Sequence, residues 1–246
     1  MTRIEQLLFG YSGGHRVLAA SVPTGIRGAD YLWDLVVLSD RSGMTPIDPR
    51  TREPVDLPVE GYLTLYPLPP YYVVQRTWPD PNASRPGCVL SHTLLVPLDH
   101  VVRADLAAIV ELLRSPDASR ALAPYRSALE VDLPLAPDPR SAAPDPSAVR
   151  ALSTLWQEHT PVVVRLPSRA RTAEVGGLLV TLWRLLSETD RARFSACDWA
   201  YSVRATPNGQ RFSVSLGPRA AYLDHPGALI LGAPVSWAEG PLEQRP

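Results

Sequence analysis

The chain contains no lysine: all 24 of its basic residues are arginine. A GC-rich coding bias accounts for such a count, and the chemical consequence holds whatever the cause. A phosphate-binding P-loop needs a lysine on the β/γ-phosphates, and a protein kinase needs one on its nucleotide. Schiff-base and pyridoxal chemistry need an amine nucleophile. Those classes are excluded. Cysteine is almost absent as well: Cys88 and Cys197 stand far apart in apolar stretches. Two such thiols make no disulfide framework and fit a reducing compartment. No apolar run approaches the roughly 18 residues of a membrane span. The opening MTRIEQLLFGYSGG has no charged start followed by a sustained apolar stretch, so no secretory signal is expected. The formal charge of −1 offers no field for nucleic acid or an anionic membrane, and no basic stripe interleaves with aromatics. The expectation is a soluble, cytoplasmic protein.

What the chain does have is apolar material, at 45%, and 27 prolines that cut it into short elements. Residues 4–9 and 16–21 read as strands around a glycine turn at 10–14. Leu32, Leu35 and Val36 put a helix at 29–38. Strands follow at 62–66, 71–78 and 87–96, with a hairpin turn at 79–86. Leu106, Ile109, Val110 and Leu113 predict an amphipathic helix over 103–113 that stops before Pro116. Residues 133–147 carry five prolines and read as a linker. Beyond it come a helix at 148–158, a buried strand at 162–166, and a long helix with Thr172 as N-cap. Two strands at 199–205 and 211–216 are joined by Asn208-Gly209. Strands and helices mix without strict βαβ alternation, which gives an α+β class: mixed or antiparallel sheets with helices packed on one face, in two subdomains. The divisions are 1–132, the linker 133–147, and 148–246.

Cys88 and His92 invite a nucleophile-plus-base reading. On one strand they share a face but lie about 13 Å apart, far beyond the ~3 Å of proton transfer. Leu90 and Leu94 share that face, so both residues equally suit a core. His15, after Gly13-Gly14, either meets a ligand near a tight turn or ends an ordinary hairpin. His15, Cys88, His92 and Cys197 are metal-ligand types, but the close pairs of a zinc site are missing, so no metal site is assigned. Arg76, Trp78 and Arg85 bracket the hairpin turn. Arginine–aromatic pairs at loop ends are typical binding hot spots, and they also pin hairpins by cation–π contact. Either Arg76 or Arg85 has the chemistry of an arginine finger.

Three stretches carry a family resemblance: the run IEQLLFGYSGGHRVLAAS at 4–21, GYLTLYPLP at 61–69, and RTW at 76–78 followed by RPGCVLSHTLL at 85–95. In order and spacing they resemble the N-terminal domain, type one, of the bacterial GTPase-associated protein family. The resemblance covers residues 1 to about 115, and 148–216 is loosely similar to the family's middle region. It implies a gene neighbourhood of small GTPases in multi-component systems of conflict or defence. It brings no established catalytic residues with it, and no cofactor is expected. The matched positions Tyr11, His15, Arg76, Trp78, Arg85, Cys88 and His92 then mark a functional surface.

The leading expectation is a non-catalytic adaptor that docks on a GTPase or other NTPase encoded nearby, through Tyr11, Arg76, Trp78 and Arg85, without nucleic acid or membrane. The alternative is a Cys/His-dependent hydrolase of a peptide or nucleotide, with His15, Cys88 and His92 as candidates. A purely structural subunit of a larger complex is the third.

Overall fold

A computed structural model of the chain describes residues 1–22, 30–41, 43, 45–48, 52–83, 87–115, 121–137, 161–166, 172–218 and 229–232. Ten strands make one mixed sheet: β1 (Thr2–Tyr11), β2 (His15–Ala20), β3 (Tyr62–Leu68), β4 (Tyr71–Pro79), β5 (Val89–Pro97), β6 (Leu129–Val131), β7 (Val162–Leu166), β8 (Ala196–Cys197), β9 (Val214–Pro218) and β10 (Leu229–Gly232). Nine lie in the order β10-β7-β9-β8-β3-β4-β5-β1-β2, and β6 pairs with the start of β1. The β1-to-β5 half is antiparallel throughout. Beyond β3 the pairings β8–β9, β9–β7 and β7–β10 are parallel. Parallel strands are covered on both faces and so run continuously apolar, as Val162-Val163-Val164 does. The α+β class and the mixed sheet are as expected. The single sheet runs on from β3 through β8, so strands on either side of residues 133–147 share it.

The α-helices are α1 (Asp30–Ser39), α2 (Leu98–Val101), α3 (Leu106–Val110), α4 (Thr172–Leu185) and α5 (Glu188–Arg191). Strand register assigns their faces. Tyr62, Thr77, Ser91 and Phe9 fall in one row across β3, β4, β5 and β1. Leu63, Arg76, His92 and Leu8 form the next row, pointing to the other side. Helix α1 lies on the first face: Gln75, in step with Thr77, donates from Nε2 to Leu38 O at 3.0 Å. Helices α3 and α4 lie on the second, over Leu63. The helices are therefore shared between the two faces. Among the described residues, no helix is long and apolar enough to cross a membrane.

Polar bolts hold α4 in place. Asp105 caps α3 by accepting from Ala107 N at 3.3 Å, and the same carboxylate takes a two-pronged grip from Arg184 at 3.1 and 2.8 Å. Trp183 Nε1 donates to Ala104 O at 3.1 Å. Buried Arg191 donates to Trp183 O at 2.8 Å and Val102 O at 2.9 Å. The fully buried Trp183 ring meets Tyr72 edge-on, with centroids 5.2 Å apart, and Phe194 at 6.3 Å.

Several expected elements shifted. The 103–113 helix is confined to α3, because the N–H groups of 103–104 and 112–113 reach back three residues instead of four. The 199–205/211–216 hairpin reduces to one bridge, Ala205–Arg211, around a turn with Gly209 at φ +78°. Residues 199–203 do not form a strand, and Ala200 N instead donates to Leu216 O at 2.7 Å. The helix expected at 148–158 lies outside the described residues. Replacing Trp183 by alanine should cost about 3–5 kcal/mol of unfolding free energy, as for a buried aromatic whose space cannot close. Urea denaturation measures it, and a loss below about 1 kcal/mol contradicts this packing.

Candidate functional site

His15 and His92 sit on opposite faces of the sheet. His15 pairs with Tyr11 at the β1–β2 turn, and its ring stacks on Phe9, on the α1 face. Ser39 Oγ donates to Val36 O at 2.9 Å, so His15 Nε2 must donate to Ser39 Oγ, also at 2.9 Å. Its Nδ1 faces Asp40 at 3.9 Å. Burial lowers the His15 pKa, and Asp40 opposes that shift.

His92 is enclosed on the other face, 1% exposed. Arg114 N donates to its Nδ1 at 3.0 Å, which leaves the proton on Nε2 to donate to Gln6 Oε1 at 3.0 Å. Gln6 then donates from Nε2 to Pro124 O at 2.8 Å and Ser127 O at 2.5 Å. The Tyr125 ring closes over the imidazole edge-on, centroids 4.9 Å apart. Burial, with the Arg114 charge adding to it, pushes His92 down to about 3. Both ring nitrogens are engaged, so His92 has no lone pair to offer Cys88. Cys88 is half-buried before β5, its carbonyl accepting from Asp80 N at 2.9 Å. The three hydrolase candidates do not gather into one centre. Among the described residues, no three side chains of His, Cys, Asp or Glu cluster so as to hold a metal ion.

The docking candidates divide too. Trp78 is only 7% exposed, and its ring lies against Gly61, where a Cβ would come within 2.8 Å of it. It anchors the β4 end more than it presents a surface. Tyr11 is half-exposed at the rim of β1. Arg85 lies outside the described residues.

Arg76 opens onto a cleft of about 300 Å³ between the sheet and helices α3 and α4. Leu63 and Arg76 form its floor; Val110 and Glu111 stand on one side, Gly176 and Gly177 on the other. Asp198, 1% exposed, closes the inner end, with Oδ1 accepting from Leu63 N at 2.6 Å. A Cβ on Gly176 would sit 3.5 Å from Asp198 Oδ2 and 3.7 Å from Leu63 Cδ1, so the bare backbone leaves the floor open. Burial raises Asp198 to about 7, against the Leu63 N–H and the Arg76 charge. Burial lowers the Arg76 pKa, and Asp198 partly offsets it. Sequence reading missed Asp198 and the two glycines. The signal was there: a Gly-Gly pair inside a helix costs about 1 kcal/mol per residue against alanine, which asks for a spatial reason.

Residues 3–113 match the family GTPase-associated protein 1, N-terminal domain type 1. The matched GTPase-associated domain runs from β1 through α3 and contains Tyr11, His15, Arg76, Trp78, Arg85, Cys88 and His92. Asp198 and the α4 wall of the cleft fall beyond it. No curated protein and no solved structure matches the chain.

The two deeply buried acid–base groups give opposite pH signatures. His92 titrates near 3 when folded against 6.5 as a free group. As pH falls below 6.5 the unfolded chain takes up a proton that the native state refuses, so stability falls with falling pH. Asp198 titrates near 7 when folded against 3.8 when free. As pH rises above 3.8 the unfolded chain releases a proton that the native state keeps, so stability falls with rising pH. The slopes oppose each other between about pH 4.5 and 6.5, each worth about 1.4 kcal/mol per pH unit. Relative to the parent, His92→Gln should lose stability as pH rises through that window, and Asp198→Asn should gain it. Urea titrations at several pH values check the two signs; slopes equal to the parent's refute the assignment.

Proposed function

We propose that this chain is a non-catalytic docking component for a GTPase or other NTPase encoded nearby, within a bacterial conflict or defence system. The family name of residues 3–113 ties the domain to GTPases. The absence of lysine removes the P-loop route to hydrolysis by the chain itself. The observation that carries the reading is on α1. Trp33 is 71% exposed and Val37 52%, and at i, i+4 they share one outward face. An exposed tryptophan is among the residues most enriched at interface hot spots, and Val37 extends the apolar face beside it. The same helix buries Leu35 and Leu38 on its inner face, so the outward pair contributes little to the core. This face replaces Trp78 as the preferred anchor of contact.

The test is a binding titration of the intact chain against the neighbouring GTPase, loaded with GDP or a non-hydrolysable GTP analogue. A Trp33→Ser, Val37→Ser double variant should bind at least about tenfold more weakly while keeping its thermal midpoint. Unchanged affinity removes α1 as the docking face. Measured GTP or ATP turnover by the chain alone overturns the adaptor reading.

A further inference from the structure

A guanidinium and a buried carboxyl group share the α3–α4 cleft without meeting. Arg76 is half-buried on the floor, and among the described residues no hydrogen bond or ion pair engages its guanidinium. Asp198 is almost wholly buried; Oδ1 is committed to Leu63 N, whereas Oδ2 lies on the side of Gly176, toward the open volume. Desolvated opposite charges this near normally close on each other. Here no ion pair joins them. Asp198 follows β8, Arg76 is on β4, and β3 runs between them, with Leu63 on the intervening strand. Two strand spacings separate their backbones, roughly 10 Å.

What fits between them must accept from a guanidinium at one end and donate to a carboxylate at the other. Glu111 and Glu60 at the rim make three carboxylates against one guanidinium, which favours a cationic group on the donating end. Leu63, Val110 and Val180 supply an apolar wall. A volume of about 300 Å³ stands at the bottom of the range for small-molecule sites. We propose that this cleft binds a small zwitterion, an α-amino acid with an aliphatic side chain, its carboxylate on Arg76, its ammonium on Asp198 and its side chain against Leu63, Val110 and Val180. The walls are already fixed, because Arg184–Asp105 and Trp183–Ala104 lock α4 to the start of α3. Little ordering is then required on binding.

Calorimetric titration of the intact chain with L-leucine at about pH 8, where Asp198, with its pKa of about 7, is mostly ionised, tests this. Saturable one-to-one binding is expected. 3-Methylbutylamine, which lacks the carboxylate, and 4-methylpentanoate, which lacks the amine, should each bind at least about tenfold more weakly. Arg76→Gln and Asp198→Asn should each weaken leucine by a similar factor, the second keeping an acceptor for Leu63 N. Gly177→Leu is the control against misfolding. A Cβ there meets nothing within 4 Å, and leucine raises helix propensity. It should abolish binding with no fall in thermal midpoint. No leucine binding, binding that survives Gly177→Leu, or equal binding of the two half-analogues each overturns the proposal. If Asp198→Asn does not fold, Arg76→Gln and Gly177→Leu decide it.

Discussion

The last carbonyls of a helix have no donor within the helix, and burying them unpaired costs about the desolvation of each group. At the C-terminal end of α1 those carbonyls press against the middle of the sheet. Gln75 donates to Leu38 O, Ser91 Oγ to Ser39 O at 2.5 Å, and Arg204 Nη2 to Leu38 O at 2.8 Å and Asp40 O at 3.2 Å. The donors are themselves linked: Thr93 Oγ1 donates to Gln75 Oε1 at 2.9 Å, and Thr77 and Ser91 share a bond of 2.8 Å. Gln75 and Ser91, on neighbouring strands, thus donate to the end of α1, while Thr77 and Thr93 hold those two side chains in place. Removing the helix would leave both donors and the helix-end carbonyls to find other partners in the core, which ties its position to the sheet.

The other face follows the same logic with different chemistry. His92 and Gln6 lie on one face of neighbouring strands, at positions where an aliphatic residue would pack without demands. They are satisfied instead by the backbone at Arg114, Pro124 and Ser127. The segment after α3 is therefore held by a neutral imidazole and one amide. This explains a histidine in the centre of a strand without any catalytic role for it. The same enclosure accounts for the low pKa, since a second ring proton would be cut off from water and would also face the Arg114 charge.

The antiparallel half was legible from residues 1 to about 113, because turn signals and alternation there are local. β3, β4 and β5 fell where aromatic and β-branched residues placed them, and β7 matched residue for residue. The C-terminal half was harder. β8 has two residues and β10 four, too short to carry a periodic pattern. β8 exists because Ala196 and Cys197 fill the gap between β3 and β9, a tertiary reason that no local pattern expresses. The candidate site failed differently. Arg76 was found because arginine beside tryptophan is conspicuous. Asp198 was passed over because a lone aspartate after a cysteine is not, and its partner is 122 positions away in the chain. Trp78 was read as a surface anchor because hairpin ends usually are exposed; Gly61, with φ +76°, lets the preceding loop fold over it.

Alternation along β4 sets how the two surfaces relate. Gln75 and Thr77 point to α1; Arg76, between them, points to the cleft. A single strand therefore serves both faces, but it is paired along its length with β3 and β5. A strand bonded on both edges does not slide or rotate without breaking two ladders, because a one-residue slip would turn every side chain to the wrong face. Occupation of the cleft then has no soft element through which to move α1. Helix α1 and the charged cleft share a scaffold while remaining energetically separate, so substitutions at Trp33 and at Arg76 should add in their effects, as distant sites with no common partner do.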